Sequence, residues 1–314
     1  KAGAGGASAL DQRAGVIIGT AGGGHSTAEE NYRAVFEAGK NRVPPLTVPR
    51  LMASAAPSQI GMEWGLQGPS FAVSSACASA SHALGLAYRM IRDGQVLQML
   101  AGGTDAMLTF GGIKAWEGLR ILSPDGCRPF DQARNGLVMG EGAAIFLLEA
   151  RDHALARGAT VLAEIAGFAM NADARDLLSP SVEGIAAAMR AALADAGMAA
   201  AEIDYINAHA TATLANDRAE AEAISDVFGP HVAVSSTKGH HGHAMGAAGA
   251  IELLSCLLAL SEGVMPPSLG LSQPDPAFDL DLIRDEPRRG RVRACLSNSF
   301  AFGGLNAVLL LRQP

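Results

Sequence analysis

Phe71-Ala-Val-Ser-Ser-Ala-Cys-Ala-Ser-Ala-Ser-His-Ala-Leu84 decides how this chain is read. Residues 71–73 form a short apolar run of the kind a buried strand makes, and it ends at Ser74 and Ser75. From Ala78 onward, small and apolar residues recur at helical spacing through Leu86, Met90 and Ile91, until Gly94 stops them. Cys77 therefore stands on a strand-to-helix turn. A sulfur there meets unpaired N–H groups and the positive end of the helix. Such a setting lowers a thiol pKa and can hold an oxyanion. The plain alternative is a small cysteine buried in a core, and the rest of the chain has to choose between the two.

Working outward, strand patterns alternate with helix patterns. Strands are expected over 14–18, 98–105, 138–148, 161–169, 203–209, 232–238, 293–298 and 306–311. Helices are expected over 27–37, 49–64, 111–122, 150–157, 181–194, 217–228 and 244–260, with Ser181 as an N-cap and Gly263 closing the last. This alternation predicts an α/β fold with mainly parallel sheets covered by helices. Ala72-Val-Ser-Ser75 recurs as Ala233-Val-Ser-Ser236, each copy followed by a loop, an Ala/Gly-rich helix and a closing glycine. A duplicated α/β unit is the expectation. Residues 1–13 read as loose. Gly19-Thr-Ala-Gly-Gly-Gly24 lacks the Gly-Lys-Ser/Thr ending of a phosphate loop and the dinucleotide spacing. It reads as bare backbone approached by a ligand or another subunit.

Composition narrows the classes. A chain of 314 residues suits one large domain or two intimate ones. Nearly half the residues (49%) are apolar but only 5% are aromatic, which predicts closely packed small-residue helices. A net charge of −7 without basic bias argues against nucleic acid as a partner. Cys77, Cys127, Cys256 and Cys295 show neither metal-type pairing nor the density of a disulfide framework, so a reducing compartment is expected. No apolar run is read as reaching the ~18 residues that span a bilayer, and the first residues lack a signal-peptide shape. The expectation is a cytoplasmic protein.

Three reactive groups fall at strand ends: Cys77, His209 and His243. In open α/β folds ligands bind beyond the carboxyl ends of the strands, so the three are expected to converge. Both histidines lie in loops of small residues that leave room for a ligand, Ala208-His-Ala-Thr-Ala-Thr213 and Lys238-Gly-His-His-Gly-His-Ala244. A metal site at residues 240–243 is not expected, because no carboxylate or cysteine sits at ligand spacing and Lys238 repels a cation.

Four motifs are specific in combination: Ser75-Ala-Cys-Ala-Ser79; Asn207-Ala-His-Ala-Thr-Ala-Thr213; Ser236-Thr-Lys-Gly-His-His-Gly-His-Ala-Met-Gly-Ala-Ala-Gly-Ala-Ile-Glu252; and Asn298-Ser-Phe-Ala-Phe-Gly-Gly304. Over residues 15–310 the chain resembles the β-ketoacyl-acyl-carrier-protein synthases, in the elongating branch of the thiolase superfamily. The resemblance implies a thiolase-like fold of two duplicated α/β halves, 1–158 carrying the nucleophile and 159–314 carrying both histidines, in a layered αβαβα arrangement. It implies that Cys77 takes an acyl group from a carrier thioester, and that malonyl-carrier then binds and loses CO₂. His209 and His243 would donate hydrogen bonds to the enolate oxygen, with Lys238 and Glu252 paired behind them. The backbone N–H groups of Cys77 and Phe302 would hold the thioester oxyanion, and Phe302 would gate the acyl pocket. Thr211, Thr213, Gly22, Phe300, Gly303 and Gly304 are implied to bind substrate, and Arg120 to meet the acidic carrier protein. A homodimer without cofactor or metal is implied.

Several positions depart from the pattern. Relatives carry a further stretch before Gly15, including the first strand and helix. Ala301 stands where glycine is usual and should stiffen the gate. Gly22 replaces a bulky residue, which implies a deeper acyl pocket. Arg288-Arg-Gly-Arg-Val-Arg293 reads as a solvated loop. A degradative thiolase would use a second cysteine in a Cys-x-Gly setting, whereas Cys295 is followed by Leu-Ser. A chain-length-factor-like subunit typically lacks the cysteine that is present here. An inert truncated fragment is the remaining alternative.

Overall fold

A computed structural model of the chain describes residues 10–314; the loose segment expected over 1–13 falls largely outside that range. In chain order the first half comprises β1 (Gly15–Gly19), α1 (His25–Tyr32), α2 (Thr47–Leu51), α3 (Ala55–Trp64), β2 (Ser70–Val73), α4 (Ser79–Arg92), β3 (Gln98–Asp105), α5 (Phe110–Gly118), β4 (Gly142–Glu149) and α6 (Arg151–Ala156). The second comprises β5 (Glu164–Ala172), α7 (Val182–Ala196), β6 (Tyr205–Asn207), α8 (Leu214–Phe228), β7 (Ala233–Ser235), α9 (Lys238–His241) and α10 (Ala248–Glu262). The short strands β8 (Val264–Met265), β9 (Asp281–Leu282) and β10 (Arg288–Arg289) follow, then β11 (Ala294–Ala301) and β12 (Leu305–Arg312).

The two large sheets repeat one plan. The first runs β2-β1-β3-β4 and the second β9-β7-β6-β11-β12-β5. β1 is parallel to β2 and β3, and β3 is antiparallel to β4. Correspondingly, β6 is parallel to β7 and β11, and β11 is antiparallel to β12. The four-residue echo noted in the sequence thus marks equivalent strands, β2 and β7. Where the second sheet continues from β12 to β5, the outer edge of β4 has no strand partner among the described residues.

Between the sheets lie the equivalent helices α4 and α10, each touching strands of both. Outside them α3 packs on β1 and β2, and α7 packs on β5 and β12, which completes the αβαβα layering. Small residues make the central layer thin. A Cβ added at Gly249 of α10 would come within 2.1 Å of Ser81 Oγ on α4, and Ser81 bonds Ser299 of β11 at 2.7 Å. Burial of this seam, lined by Ala80, Ala83, Leu84, Leu253, Cys256 and Leu260, contributes roughly 25 cal/mol per Å² of apolar surface.

Some local readings change. The helix expected over 27–37 is α1 followed by a π-helical turn, Arg33–Glu37. The one expected over 49–64 breaks between α2 and α3 at the extended residue Met52. Ser181 caps α7 as expected, accepting from Gly184 N. Residues 288–293 are not a freely solvated loop, because Arg288 pairs with Asp281 and Arg293 with Asp204. One apolar stretch is long enough to cross a membrane by length and composition, Met245–Glu262, contrary to the sequence reading. It is 61% buried inside the fold, as α10 and the turn before it.

Candidate active site

A tight elbow presents Cys77. Ala76 takes a left-handed conformation (φ 49°), which is strained for a residue with a Cβ. Ser79 holds the bend by accepting from Ser75 N at 2.9 Å and donating to Ala76 O at 2.6 Å. α4 begins immediately beyond, with Ala78 at its N-cap. Cys77 is nevertheless enclosed, at 6% exposure. Burial pushes the Cys77 thiol up to about 12; Lys238 pulls the other way, and Asp105 and Glu252 push with burial. This corrects the expectation of a lowered thiol pKa. Desolvation of the thiolate outweighs the helix end, so Cys77 reacts as a thiol that must hand off its proton.

Two imidazoles are close. Donor atoms of Cys77, His209 and His243 all lie within 4.8 Å of one another, and all three residues are buried. The imidazoles meet edge to face with centroids 5.3 Å apart, and Phe300 stands edge-on to His209 at 6.2 Å. Each ring is held differently. The backbone of His243 is stitched to the first half, donating to Val138 O at 2.7 Å and accepting from Gly140 N at 2.9 Å. Both His243 ring nitrogens are buried without a partner among the described residues. An unpaired buried polar atom is costly, and here it faces the group that reacts.

His209 is fixed from behind. Lys238 Nζ lies 3.3 Å from His209 Nδ1 and pairs with Glu252, with both charged side chains fully buried. An ammonium can only donate, so Nδ1 accepts and the ring proton sits on Nε2. Burial holds both histidines well below their ordinary pKa; Lys238 adds to this for both, His243 for His209, and His241 for His243. Both rings are therefore neutral. The three donors have a spacing that a metal ion uses, but the tautomer of His209 makes Nε2 a donor rather than a ligand, and Lys238 opposes a cation. The other histidines of the cluster splay away, His240 to Pro267 O and His241 to Gly242 O.

A cavity of about 210 Å³ opens onto this centre. It is lined by Cys77, His209, His243, Thr211, Thr213, Phe300, Phe302 and Gly304, and its apolar wall includes Trp116, Leu119, Ile121 and Leu137. The threonine hydroxyls bond each other at 2.9 Å. Gly303 is outside the lining; with Gly304 it forms the left-handed turn after β11 (φ 83° and 66°). Its N–H donates to Leu177 O at 2.8 Å. Ala301 belongs to β11, paired with Leu305. Arg120 is exposed just beyond α5, in a left-handed conformation (φ 56°). Gly22 is not an open gap: a Cβ there would meet the Met107 side chain at 2.9 Å, so the thioether occupies the space.

Three acids escaped the sequence reading. Glu220, on α8, accepts from His209 N at 2.9 Å, Ala210 N at 2.7 Å and Asn298 Nδ2 at 3.1 Å. Asp217, one turn earlier, accepts from Phe130 N at 2.9 Å and Ala212 N at 3.1 Å. Burial raises Glu220 to about 7 and Asp217 to about 6. The signal was the face they share with Ala221 and Ile224: acids at buried helical spacing rather than on a solvated side. Asp105, at the end of β3, accepts from Thr20 Oγ1, Ala21 N, Gly22 N and Gly246 N. The bare backbone of the glycine-rich loop thus meets a carboxylate of its own chain, which ties that loop to the turn after His243.

Known proteins are similar to this chain along most of its length. Residues 1–154 match the model of the beta-ketoacyl synthase N-terminal domain, and residues 162–272 that of the C-terminal domain. Nodulation protein E of Rhizobium sp. (strain N33) is 52% identical over 96% of this chain and 76% of its own length. The 3-oxoacyl-[acyl-carrier-protein] synthase 2 of Coxiella burnetii is 40% identical over 96% and 75%. A type II PKS ketosynthase, solved in complex with its acyl-carrier protein, superposes with a TM-score of 0.92 at 30% identity, covering 97% of this chain and 79% of its own. With the nucleophile elbow, the two neutral imidazoles and both halves accounted for, the chain belongs to the beta-ketoacyl synthase family.

Proposed function

We propose that this chain condenses malonyl-carrier with an acyl group held on Cys77, as a β-ketoacyl-acyl-carrier-protein synthase. The observation that carries the assignment of roles is the convergence of Cys77, His209 and His243 within 4.8 Å, with both rings neutral. In the first step the Cys77 sulfur attacks a carrier thioester and the carrier thiol leaves. The proton lost by Cys77 goes to the departing carrier sulfur, so no net charge accumulates in a buried site. In the second step the bond from malonyl C2 to its carboxylate breaks and CO₂ departs. The electron pair forms an enolate whose oxygen accepts from His209 Nε2–H and from His243. Donors placed before the charge develops are typically worth ~2.7–4 kcal/mol each. The enolate carbon then attacks the Cys77 thioester, the C–S bond breaks, the Cys77 sulfur takes up one proton from solvent to return to the thiol, and the β-ketoacyl product leaves on the carrier.

The remaining roles follow the same reading. Backbone N–H groups of Cys77 and Phe302 hold the thioester oxyanion. Thr211 and Thr213 bind the pantetheine arm, while Phe300, Gly303 and Gly304 shape its entrance. Gly22, with Met107 against it, bounds the acyl pocket. Arg120 meets the acidic carrier. The partner copy in a homodimer pairs with the outer edge of β2, where Phe71 is 38% exposed, and covers apolar side chains such as Phe36, 80% exposed. Four free cysteines fit a reducing, cytoplasmic setting.

Incubation with acyl-carrier and radiolabelled malonyl-carrier tests the whole scheme. Labelled β-ketoacyl-carrier and an acyl adduct on Cys77, both lost in Cys77→Ala, are the expected result. Decarboxylation with no condensation at any chain length overturns it in favour of a non-condensing partner subunit.

A further inference from the structure

One residue in the cavity wall has no part in the scheme above. The Trp116 indole, on α5, stacks on the Phe302 ring with centroids 5.9 Å apart and planes at 24°. Both rings are half-buried, and both line the cavity that holds Cys77. Phe302 is the first residue after β11, so its backbone is free of the sheet, and the turn that carries it bends at Gly303 and Gly304. On the far side that turn is joined to one segment by two backbone bonds, Gly303 N to Leu177 O at 2.8 Å and Asp173 N to Gly304 O at 2.9 Å. Leu177 belongs to a segment between β5 and α7 whose own leucines are exposed (Leu177 71%). The Phe302 side chain is thus held by the indole, while the turn that carries its backbone is held by two bonds to one surface segment.

We propose that Trp116 is a specificity-determining residue: its stack keeps Phe302 across the cavity, and only an acyl chain that buries enough apolar surface displaces the ring. This rests on Cys77 being the acylated nucleophile. Stacked aromatic pairs are favourable beyond the area they bury, so a short chain gains too little to separate the rings, and a long chain gains enough. Trp116 touches the gate rather than the reacting atoms. Its removal is therefore expected to change which chains enter far more than how fast a bound chain reacts.

The test compares wild type, Trp116→Phe and Trp116→Ala on acyl-carriers of graded length, from four to sixteen carbons. Cys77 acylation is followed by mass spectrometry and kcat/KM by product formation. Trp116→Ala is expected to raise the short-to-long kcat/KM ratio three- to tenfold, with Trp116→Phe between it and wild type. A spectroscopic readout is independent of activity, because the chain has only two tryptophans, Trp64 and Trp116. In Trp64→Phe, the remaining emission is expected to shift when Cys77 is acylated, and not to shift when Phe302→Ala is added. If Trp64→Phe does not fold, the spectrum of wild type minus Trp116→Phe gives the same signal. Ratios unchanged within twofold, or constant Trp116 emission at full acylation, overturn the proposal while leaving the synthase reading intact. Absence of any Cys77 adduct overturns both.

Discussion

Glu220 Oε1 lies 2.9 Å from the backbone nitrogen of His209, and its second oxygen lies 2.7 Å from that of Ala210. A carboxylate with no exposure therefore sets the path of the chain that carries an imidazole of the site. Burial raises it from an ordinary 4.5 to about 7. A carboxyl raised on folding contributes most below its unfolded value and loses that contribution as pH climbs to the folded one. Glu220→Gln cannot titrate. The unfolding free energy of wild type relative to this variant is expected to fall by a few kcal/mol between about pH 4.5 and 7, measured by urea titration at several pH values. A gap that is flat across this window would refute the assignment. The variant is also expected to lower kcat by about tenfold with little change in KM, because His209 shifts while the cavity stays.

Cys77 should be slow to alkylate. With its thiol pushed up to about 12, the thiolate fraction rises tenfold per pH unit through the whole accessible range. Iodoacetamide labelling of Cys77, read by peptide mass spectrometry, is expected to climb without a plateau between pH 7 and 10. A plateau below pH 9 would mean that the helix end prevails over burial. Lys238→Met is expected to slow labelling further, since Lys238 pulls the thiol down.

The two imidazoles carry unequal parts of the two half-reactions. Removing His243, whose ring nitrogens have no other partner, is expected to reduce malonyl decarboxylation by about 10²–10³-fold while sparing acyl transfer to Cys77 by comparison. Separate rates, CO₂ release against adduct formation, check this. Equal loss in both would remove His243 from the enolate site.

Breaking the buried pair behind His209 is expected to be severe. Glu252→Ala leaves the Lys238 ammonium uncompensated at zero exposure, a change typically costing 3–5 kcal/mol. The double variant Lys238→Met/Glu252→Leu should regain much of that stability in thermal unfolding but not activity, because His209 Nδ1 loses its donor.

Thinness of the central layer can be probed directly. Gly249→Ala is expected to cost about 1–3 kcal/mol, since its methyl meets Ser81 Oγ. Adding Ser81→Gly should return a large share, and additive losses in denaturant titrations would show the contact to be unimportant.

Much of this was legible in the chain itself. The strand–turn–helix pattern around Cys77 located the elbow, and the repeat of Ala-Val-Ser-Ser at 72 and 233 located equivalent strands before any pairing was known. What escaped notice depended on three-dimensional enclosure. The sequence predicts a lowered thiol pKa because a helix end is visible in it, whereas desolvation depends on packing and prevails. Acids on a helix are usually solvated, so a helix pattern does not by itself single out Glu220 and Asp217; only the fold shows that their partners are backbone N–H groups of the loops around His209 and Phe130. Met107 was invisible as the occupant of the space beside Gly22, since nothing local links the two.

The matched order of the two sheets has a consequence for how the enzyme is made. Nucleophile and imidazoles come from opposite repeats, which join across the α4–α10 seam and through a backbone bridge between Met139 and His243. Neither repeat synthesised alone contains a working centre. Co-expressed fragments divided between α6 and β5 would recover turnover only by complementation, and their dissociation constant would then measure the strength of that seam.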